Sequence, residues 1–475
     1  MVMMKLVWIV IWMLSFIHLK VGIAQQLTVL PSKSYLQTSD GKPFIWIGDT
    51  AWELFHKLNR EEVDHYLTMR QKQGFTVIYA VILAEHEGLT VPNAYGEVPL
   101  RGQNPATPNL RYFEHVDYVI NKAQSLGLRL AVLPTWGNHV PNARDGKRSY
   151  IFTPKNAYQY GNFLSDRYQD KPIIWILGGD RNVDDNQAKY IWDRLAEGLQ
   201  QRNDDKQLIS YHPAGESSSA YWFHKSTWLD FNMYQTGHAR RSMPGYQYAE
   251  AHRLLDPKKP FLDAEPAYED IPIKFWEYLS KRPAEELIGS VFDTSGIILD
   301  RDYFDAGFFT DKDVRQQAYW GLLSGAMGFS YGNNAVWQFV DAGKKCVIPS
   351  LYTWREALTR PGAEQIKHLR FAMENWHFPD LFSDQSLIYG VNRPGTSHIR
   401  AATNADMSCV CVYTPVSQVI VLNLPLSADT IYKVSWFDPR NGGIQQEEKI
   451  LSGGPVEFIP PAALDDCLLI LELKK

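Results

Sequence analysis

Residues 173–180 read IIWILGGD. A run of bulky apolar residues is closed by two glycines and an acid. This is the signature of a short strand buried on both faces, with polar chemistry at its C-terminal end. The pattern recurs along the chain. Candidate strands are Phe44–Asp49 (FIWIGD), Thr76–Ile82 (TVIYAVI), Arg129–Trp136 (RLAVLPTW), Ile173–Asp180, Gln207–His212 (QLISYH), Phe231–Gln235 (FNMYQ), Pro260–Glu265 (PFLDAE) and Gly328–Asn333 (GFSYGN).

Helical periodicity fills the gaps. Asn59 and Glu62 form a capping-box pattern ahead of Val63, Tyr66, Leu67 and Arg70, and Gly74 supplies a stop. Phe113, Val116, Ile120, Ala123 and Leu126, closed by Gly127, mark a second amphipathic helix. Ile191, Trp192, Leu195 and Leu199 mark another. Eight strands with intervening helices over roughly 330 residues predict an α/β fold of the (β/α)8 TIM-barrel type. A doubly wound open sheet fits less well, because no GxGxxG follows an early strand.

Beyond about residue 380 the hydrophobic period changes from that of helices to two. Ser386–Asn392, His398–Asn404, Ser408–Tyr413, Val419–Leu424, Tyr432–Asp438, Val456–Ile459 and Cys467–Leu473 read as short strands, with a strong turn signal in DPRNGG at 438–443. The expected organisation is a barrel over residues 25–379 and a C-terminal antiparallel β-sandwich over 380–475. The sandwich strands show no exposed aromatic row, which predicts a structural role for that domain.

The first 24 residues read as a signal peptide. Lys5 is the positive region, Leu6 to Ile17 the apolar stretch, and Gly22 and Ala24 the small residues of a cleavage site after Ala24. The apolar run falls short of the roughly 20 residues of a membrane span, and His18 and Lys20 interrupt its end. The expectation is an exported chain, periplasmic or secreted, with no stable membrane anchor.

The 475 residues are 45% hydrophobic and 21% charged, enough to build a core and unlike a disordered chain. A net charge of −5 argues against nucleic acid as the main partner, since phosphate backbones need a basic surface. The 15 Trp and 25 Tyr fit either dense core packing or a carbohydrate site in which sugar faces stack on rings. Cys346, Cys409, Cys411 and Cys467 read as small buried hydrophobes. Cys409 and Cys411 share a strand face and are poorly placed to bond to each other, although either could reach Cys467 on a neighbouring strand. With no CxxC pair and no HExxH run, no metal or other cofactor is expected.

A barrel of this kind carries its site at the C-terminal strand ends. Asp49 with Trp52 follows the first strand, Glu85, His86 and Glu87 the second, Trp136 the third, Asp180 the fourth and His212 the fifth. Gln235 and His238 follow the sixth strand, Glu265 the seventh, and Tyr331 lies on the eighth. A polar, aromatic ring of this composition suits a sugar better than a phosphate. Glycosidic hydrolysis needs one protonated carboxyl and one that attacks or activates water. Asp180 and Glu265 are the candidate pair. Asp49, Trp52, Glu87, Trp136, His212, Gln235, His238 and Tyr331 are candidate substrate contacts, with Glu87 a third carboxylate in competition. Asp263, two residues before Glu265, reads as structural.

The strings GDTAWELF, GLTVPNAYGEVPL, PTWGN, WILGGDRN, MYQTGH and FLDAEPAYED resemble an exported bacterial glycoside hydrolase family, the apiosidase-like family 140. Its members are often labelled endoglucanases or collagen-binding proteins. The resemblance covers the barrel and the sandwich. It implies an acid/base on strand four and a nucleophile on strand seven, here Asp180 and Glu265. It also implies cleavage of apiose linked to galacturonic acid in rhamnogalacturonan II, with a plant cell-wall polysaccharide or oligosaccharide as partner. The chain departs from related barrels at one point: where they carry Asn-Glu at the strand-four end, it has Gly179-Asp180. A competing class is a sugar-binding or adhesin protein without catalysis, for which two mutually repelling strand-end acids would be superfluous. Metal-dependent hydrolysis is a third, weakened by the absence of a ligand cluster in the sequence.

Overall fold

The computed structural model describes residues 26–30, 34–143, 150–202, 207–344, 346–426 and 428–474. The signal-peptide segment, 1–24, lies outside the described residues. Eight parallel strands form the first domain: β1 Trp46–Thr50, β2 Val77–Leu83, β3 Arg129–Thr135, β4 Ile173–Gly178, β5 Ile209–His212, β6 Asn232–Gln235, β7 Phe261–Asp263 and β8 Gly328–Tyr331. Six pair in the order β8-β1-β2-β3-β4-β5, and β6 pairs with β7. Single hydrogen bonds join the two groups into a curled, closed wall: Asp230 N to Ile209 O and Met327 N to Phe261 O, both 2.9 Å. The (β/α)8 expectation agrees with this arrangement.

The helices stand outside the wall: α1 Arg60–Gln73, α2 Leu110–Ser125, α3 Pro154–Tyr168, α4 Asn186–Leu199, α5 Gly245–Arg253, α6 Asp311–Leu322 and α7 Pro361–Asn375. Local sequence explains their ends. Asn59 and Glu62 exchange side-chain and backbone hydrogen bonds at the start of α1, and Gly74 closes it at φ 95°. β5 reaches β6 through only a short helix, Ala220–Phe223. β7 reaches α6 through a long excursion carrying the short helix Phe275–Leu279.

Strand parity divides the core. Trp46, Tyr79, Val81, Leu133, Ile176 and Met233 fill the barrel interior. The alternate residues face the helices and pack against α1 to α4.

The second domain has the strands β9 Arg400–Thr403, β10 Cys409–Thr414, β11 Ile420–Leu424, β12 Thr430–Phe437, β13 Ile444–Leu451, β14 Gly454–Phe458 and β15 Cys467–Leu473. All pairing is antiparallel. Phe382–Ser383 and β9-β10-β15-β12-β13 form one sheet, and β11-β14 form the other. Two strand expectations change. Ser386–Asn392 begins in a 3-10 turn (Gln385–Leu387) that Asp384 caps through Ser386 N, and no strand forms there. β13 was hidden because its residues IQQEEKIL are mostly exposed and lack alternation; pairing with β12 holds them extended.

One face of the large sheet packs on the barrel. Cys411, Tyr413, Phe437, Leu468 and Ile470 join Ala318, Tyr319, Trp320 and Ile366 of α6 and α7 in one core. Arg315 forms a forked pair with Asp466 at 2.9 Å from each of two nitrogens, both side chains almost fully buried. All four cysteines are free, and Cys467 lies opposite Thr414, away from Cys409 and Cys411. Among the described residues, no helix is long and apolar enough to cross a membrane.

Candidate active site

The C-terminal strand ends surround a cleft of about 900 Å³. Asp180 enters it from a contorted backbone. Gly178, Gly179 and Asp180 have φ values of 84°, 105° and 46°, three successive left-handed residues. A Cβ on Gly178 would lie 2.3 Å from His212 O, and one on Gly179 2.8 Å from the Trp136 ring. Only glycine fits at either position, and the turn they make aims Asp180 inward. A non-glycine residue held at positive φ is strain of the kind that collects at functional sites.

Glu265 arrives from the opposite side. Its backbone is tied down on both flanks. Its N–H donates to Asp263 Oδ1 (3.3 Å), and its carbonyl accepts from Gly237 N (3.0 Å). Asp263 also accepts from Thr236 N (3.2 Å) and Thr236 Oγ1 (2.6 Å), so it locks the end of β6 to the end of β7.

Two imidazoles face the Glu265 carboxylate. Tyr268 N donates to His238 Nδ1 (3.4 Å), which leaves His238 Nε2 to donate to Glu265 Oε1 at 3.0 Å. His212 Nε2 lies 3.3 Å from Glu265 Oε2, at an angle too oblique for a hydrogen bond. The other ring nitrogen, Nδ1, is 2.9 Å from Pro213 O and 3.3 Å from Asp180 N. The first can only accept and the second only donate, so Nδ1 satisfies one at a time. Glu265 Oε2 is thus buried without a hydrogen-bond partner in the protein.

These surroundings push the two acids apart. Burial, then the charge of Glu265, raises the Asp180 carboxyl to about 7, with Glu85 adding to the rise while His212 and Arg181 oppose it. Burial also acts to raise Glu265. The two imidazoles outweigh it and hold this carboxyl well below the usual range. Near neutral pH the site therefore presents a protonated acid beside an ionised carboxylate, the division of labour glycoside hydrolysis requires.

Aromatic walls complete the cleft. Trp52 meets Trp136 edge-on at 5.2 Å and His212 at 5.5 Å, and its indole N–H donates to Tyr268 OH (3.0 Å). Burial, with the Glu265 charge behind it, keeps the Tyr268 phenol protonated. Trp136 Nε1 and Gln235 Oε1 are buried polar atoms with no protein partner, and both residues line the cleft. Among the described residues, no cluster of His, Cys, Asp and Glu suits a metal ion.

Asp180, Glu265, Trp52, Trp136, His212, Gln235 and His238 thus converge. Three other candidates do not. Asp49 points outward to α1, where it takes Tyr66 OH (2.5 Å) and Arg70 Nε (2.6 Å). Tyr331 also points outward and donates to Glu269 Oε2 (2.6 Å). Both sit on the outer parity of their strands, one step from Gly48 and Ser330, which face the interior ring of Tyr79. Glu87 sits at φ 60° in a turn whose Thr90 and Val91 amides bond its carbonyl, and its side chain is exposed. Glu85 and His86 line the cleft in its place. Tyr268, Arg181 and Trp276 were unforeseen. Arg181 stands beside Asp180 in the sequence, and that adjacency was the available signal; Trp276 lies in the long excursion after β7, which has no periodicity to read.

Known proteins resemble the chain over nearly all of its length. The family model described as apiosidase-like, catalytic domain, matches residues 31–380, and one described as "putative collagen-binding domain of a collagenase" matches residues 382–472. A solved structure described as a glycoside hydrolase is 27% identical, with a TM-score of 0.79, 95% of this chain covered and 97% of that one. A glycoside hydrolase of family 5 from Bacteroides vulgatus ATCC 8482 is 28% identical, with a TM-score of 0.80, 95% of this chain covered and 93% of that one. No curated protein sequence matches the chain. With the catalytic-domain match spanning most of its length and a two-carboxyl cleft at the strand ends, the chain belongs to the apiosidase-like family and is a glycoside hydrolase.

Proposed function

We propose that the enzyme removes apiose linked to galacturonic acid in side chains of rhamnogalacturonan II, after export from the cell. The observation that carries the mechanism is the opposed state of two neighbouring carboxyls, Asp180 held protonated and Glu265 held ionised. Asp180 donates its proton to the glycosidic oxygen as the bond to the anomeric carbon breaks. Glu265 Oε2, the oxygen without a hydrogen-bond partner in the protein, attacks that carbon and forms a glycosyl ester. Asp180, now ionised, takes a proton from water, and the resulting hydroxide displaces Glu265 and releases the sugar. His238 holds Oε1 and keeps the attacking oxygen aimed. Trp52 and Trp136 offer apolar faces to the sugar ring, and Gln235 Oε1 accepts from one of its hydroxyls.

The description of the matched family supports apiose as the sugar. The signal-peptide pattern of residues 1–24 supports export. The sandwich serves as a brace that covers α6 and α7. The test is product analysis. Purified protein incubated with rhamnogalacturonan II oligosaccharides is expected to release free apiose, and Glu265→Gln to release none. Release of a different sugar would redirect the substrate assignment.

A further inference from the structure

The segment after β7 builds one rim of the cleft. Phe275, Trp276 and Leu279 belong to its short helix, Phe275–Leu279, and all three line the cleft. Their spacing puts them on one side of the helix. Tyr278 anchors the helix from another side, buried with Val291, Phe292 and Phe304 in a small core of the segment's own. The start of the helix is fixed to the catalytic centre. Lys274 takes φ 54°, and its N–H donates to the His238 carbonyl at 3.0 Å. The Phe275 ring then lies 6.2 Å from the His238 ring, and Trp276 meets Phe275 edge-on at 5.2 Å. A chain of ring contacts thus runs from His238, which holds Glu265, out to Trp276. Trp276 is nonetheless 44% exposed, whereas Trp52 and Trp136 are at 4% and 5%.

We propose that Trp276 is the platform for a second sugar residue of the substrate, beyond the apiose itself, so that the enzyme prefers an oligosaccharide to an isolated glycoside; this rests on the apioside hydrolysis proposed above. Trp52 and Trp136 stand against His212, at the reacting sugar. The open indole at the rim is left for a neighbouring ring. A cleft of about 900 Å³ has the size of a site for a molecule of several rings. One face of a sugar ring is made of C–H groups. It suits the negative face of an indole, and covering that indole removes apolar surface from water. Because Lys274 and Tyr278 hold the helix in place, the platform is formed before the substrate arrives and little ordering is needed on binding.

The experiment compares rhamnogalacturonan II oligosaccharides with the glycosyl fluoride of apiose, which has a single ring and a leaving group without one. Trp276→Ala is expected to lower kcat/KM on the oligosaccharides about tenfold more than on the fluoride, the size of one aromatic face covered by a ring, with the difference lying in KM. Trp276→Phe keeps a smaller face and should recover part of that difference. Equal losses on the two substrates would show that the helix only supports His238, and the inference would be wrong. It is equally wrong if the oligosaccharides lose nothing, or if Trp276→Phe is no better than Trp276→Ala. A wild-type protein that turns over neither compound would instead overturn the apiose reading, and this inference with it.

Discussion

His238 Nε2 donates to Glu265 Oε1 at 3.0 Å, and the backbone amide of Tyr268 sets the tautomer that allows it. The relationship explains how a largely buried carboxylate stays ionised, and it predicts a pH effect. On the proposed mechanism, Glu265 must be ionised to attack. In His238→Ala the donor is lost and the Glu265 carboxyl rises, so the acid limb of the kcat/KM profile should move to higher pH. Away from that limb kcat/KM should fall by about 10²-fold, the worth of one hydrogen bond to a charged group. His238→Gln can still donate and should restore part of the loss. An unmoved acid limb would show that His238 does not tune the carboxylate.

On the proposed mechanism, the basic limb belongs to Asp180. Its carboxyl, raised to about 7, must carry a proton to assist the leaving group, so kcat/KM should fall as pH climbs through that value. Glu85 contributes to the rise. Glu85→Gln removes that negative charge, and the basic limb should shift to lower pH. Profiles over about pH 5 to 9 for both proteins check the direction.

A second buried acid offers a stability test away from the reaction. Glu269, fully buried, accepts from Tyr331 OH and Gly362 N (2.9 Å), yet burial and then Asp270 raise its carboxyl to about 7. The folded chain therefore holds this proton more tightly than the unfolded chain does. Its contribution to stability is complete below the unfolded value and declines as pH rises toward 7. Glu269→Gln, neutral throughout, should gain in melting temperature relative to wild type between pH 5 and pH 8. A difference that is flat with pH would contradict this.

The brace between domains can be broken at one point. Arg315 and Asp466 are paired and nearly dry, and Tyr413 OH adds a third contact to Asp466 at 3.0 Å. Asp466→Ala leaves the guanidinium buried, and loss of one partner of such a pair costs about 3–5 kcal/mol. Denaturant unfolding should show that loss. Truncation near Asp380 should be worse, since it bares Tyr319 and Trp320, and should lower solubility or stability. A truncated barrel that folds as well as the full chain would show the sandwich to have another role.

Much of this was legible in the residues. The eight apolar runs locate all eight barrel strands, because strands buried on both faces cannot afford polar interruptions. The proposed catalytic pair follows from strand-end position. Parity decides Asp49 and Tyr331: both lie at the C-terminal part of their strands, both face outward, and they bond to α1 and to the segment after β7. The alternation of Trp46 inward and Ile47 outward already implies this for Asp49. Glu85 in place of Glu87 turns on a local backbone reversal at φ 60° that no side-chain pattern announces. The locking role of Asp263 is tertiary, since its partner Thr236 is 27 residues away.

The central claim is that Asp180 supplies the proton and Glu265 the nucleophile. The most direct test measures kcat/KM for Asp180→Asn and Glu265→Gln on the natural oligosaccharide and on an aryl glycoside of the same sugar with a good leaving group. General acid assistance contributes about 10²–10⁴-fold and is dispensable when the leaving group departs unaided. The account predicts that Asp180→Asn loses this much on the natural substrate and far less on the aryl glycoside, while Glu265→Gln is inactive on both. An Asp180→Asn protein equally impaired on both substrates, or a Glu265→Gln protein that keeps near-normal turnover, would contradict it.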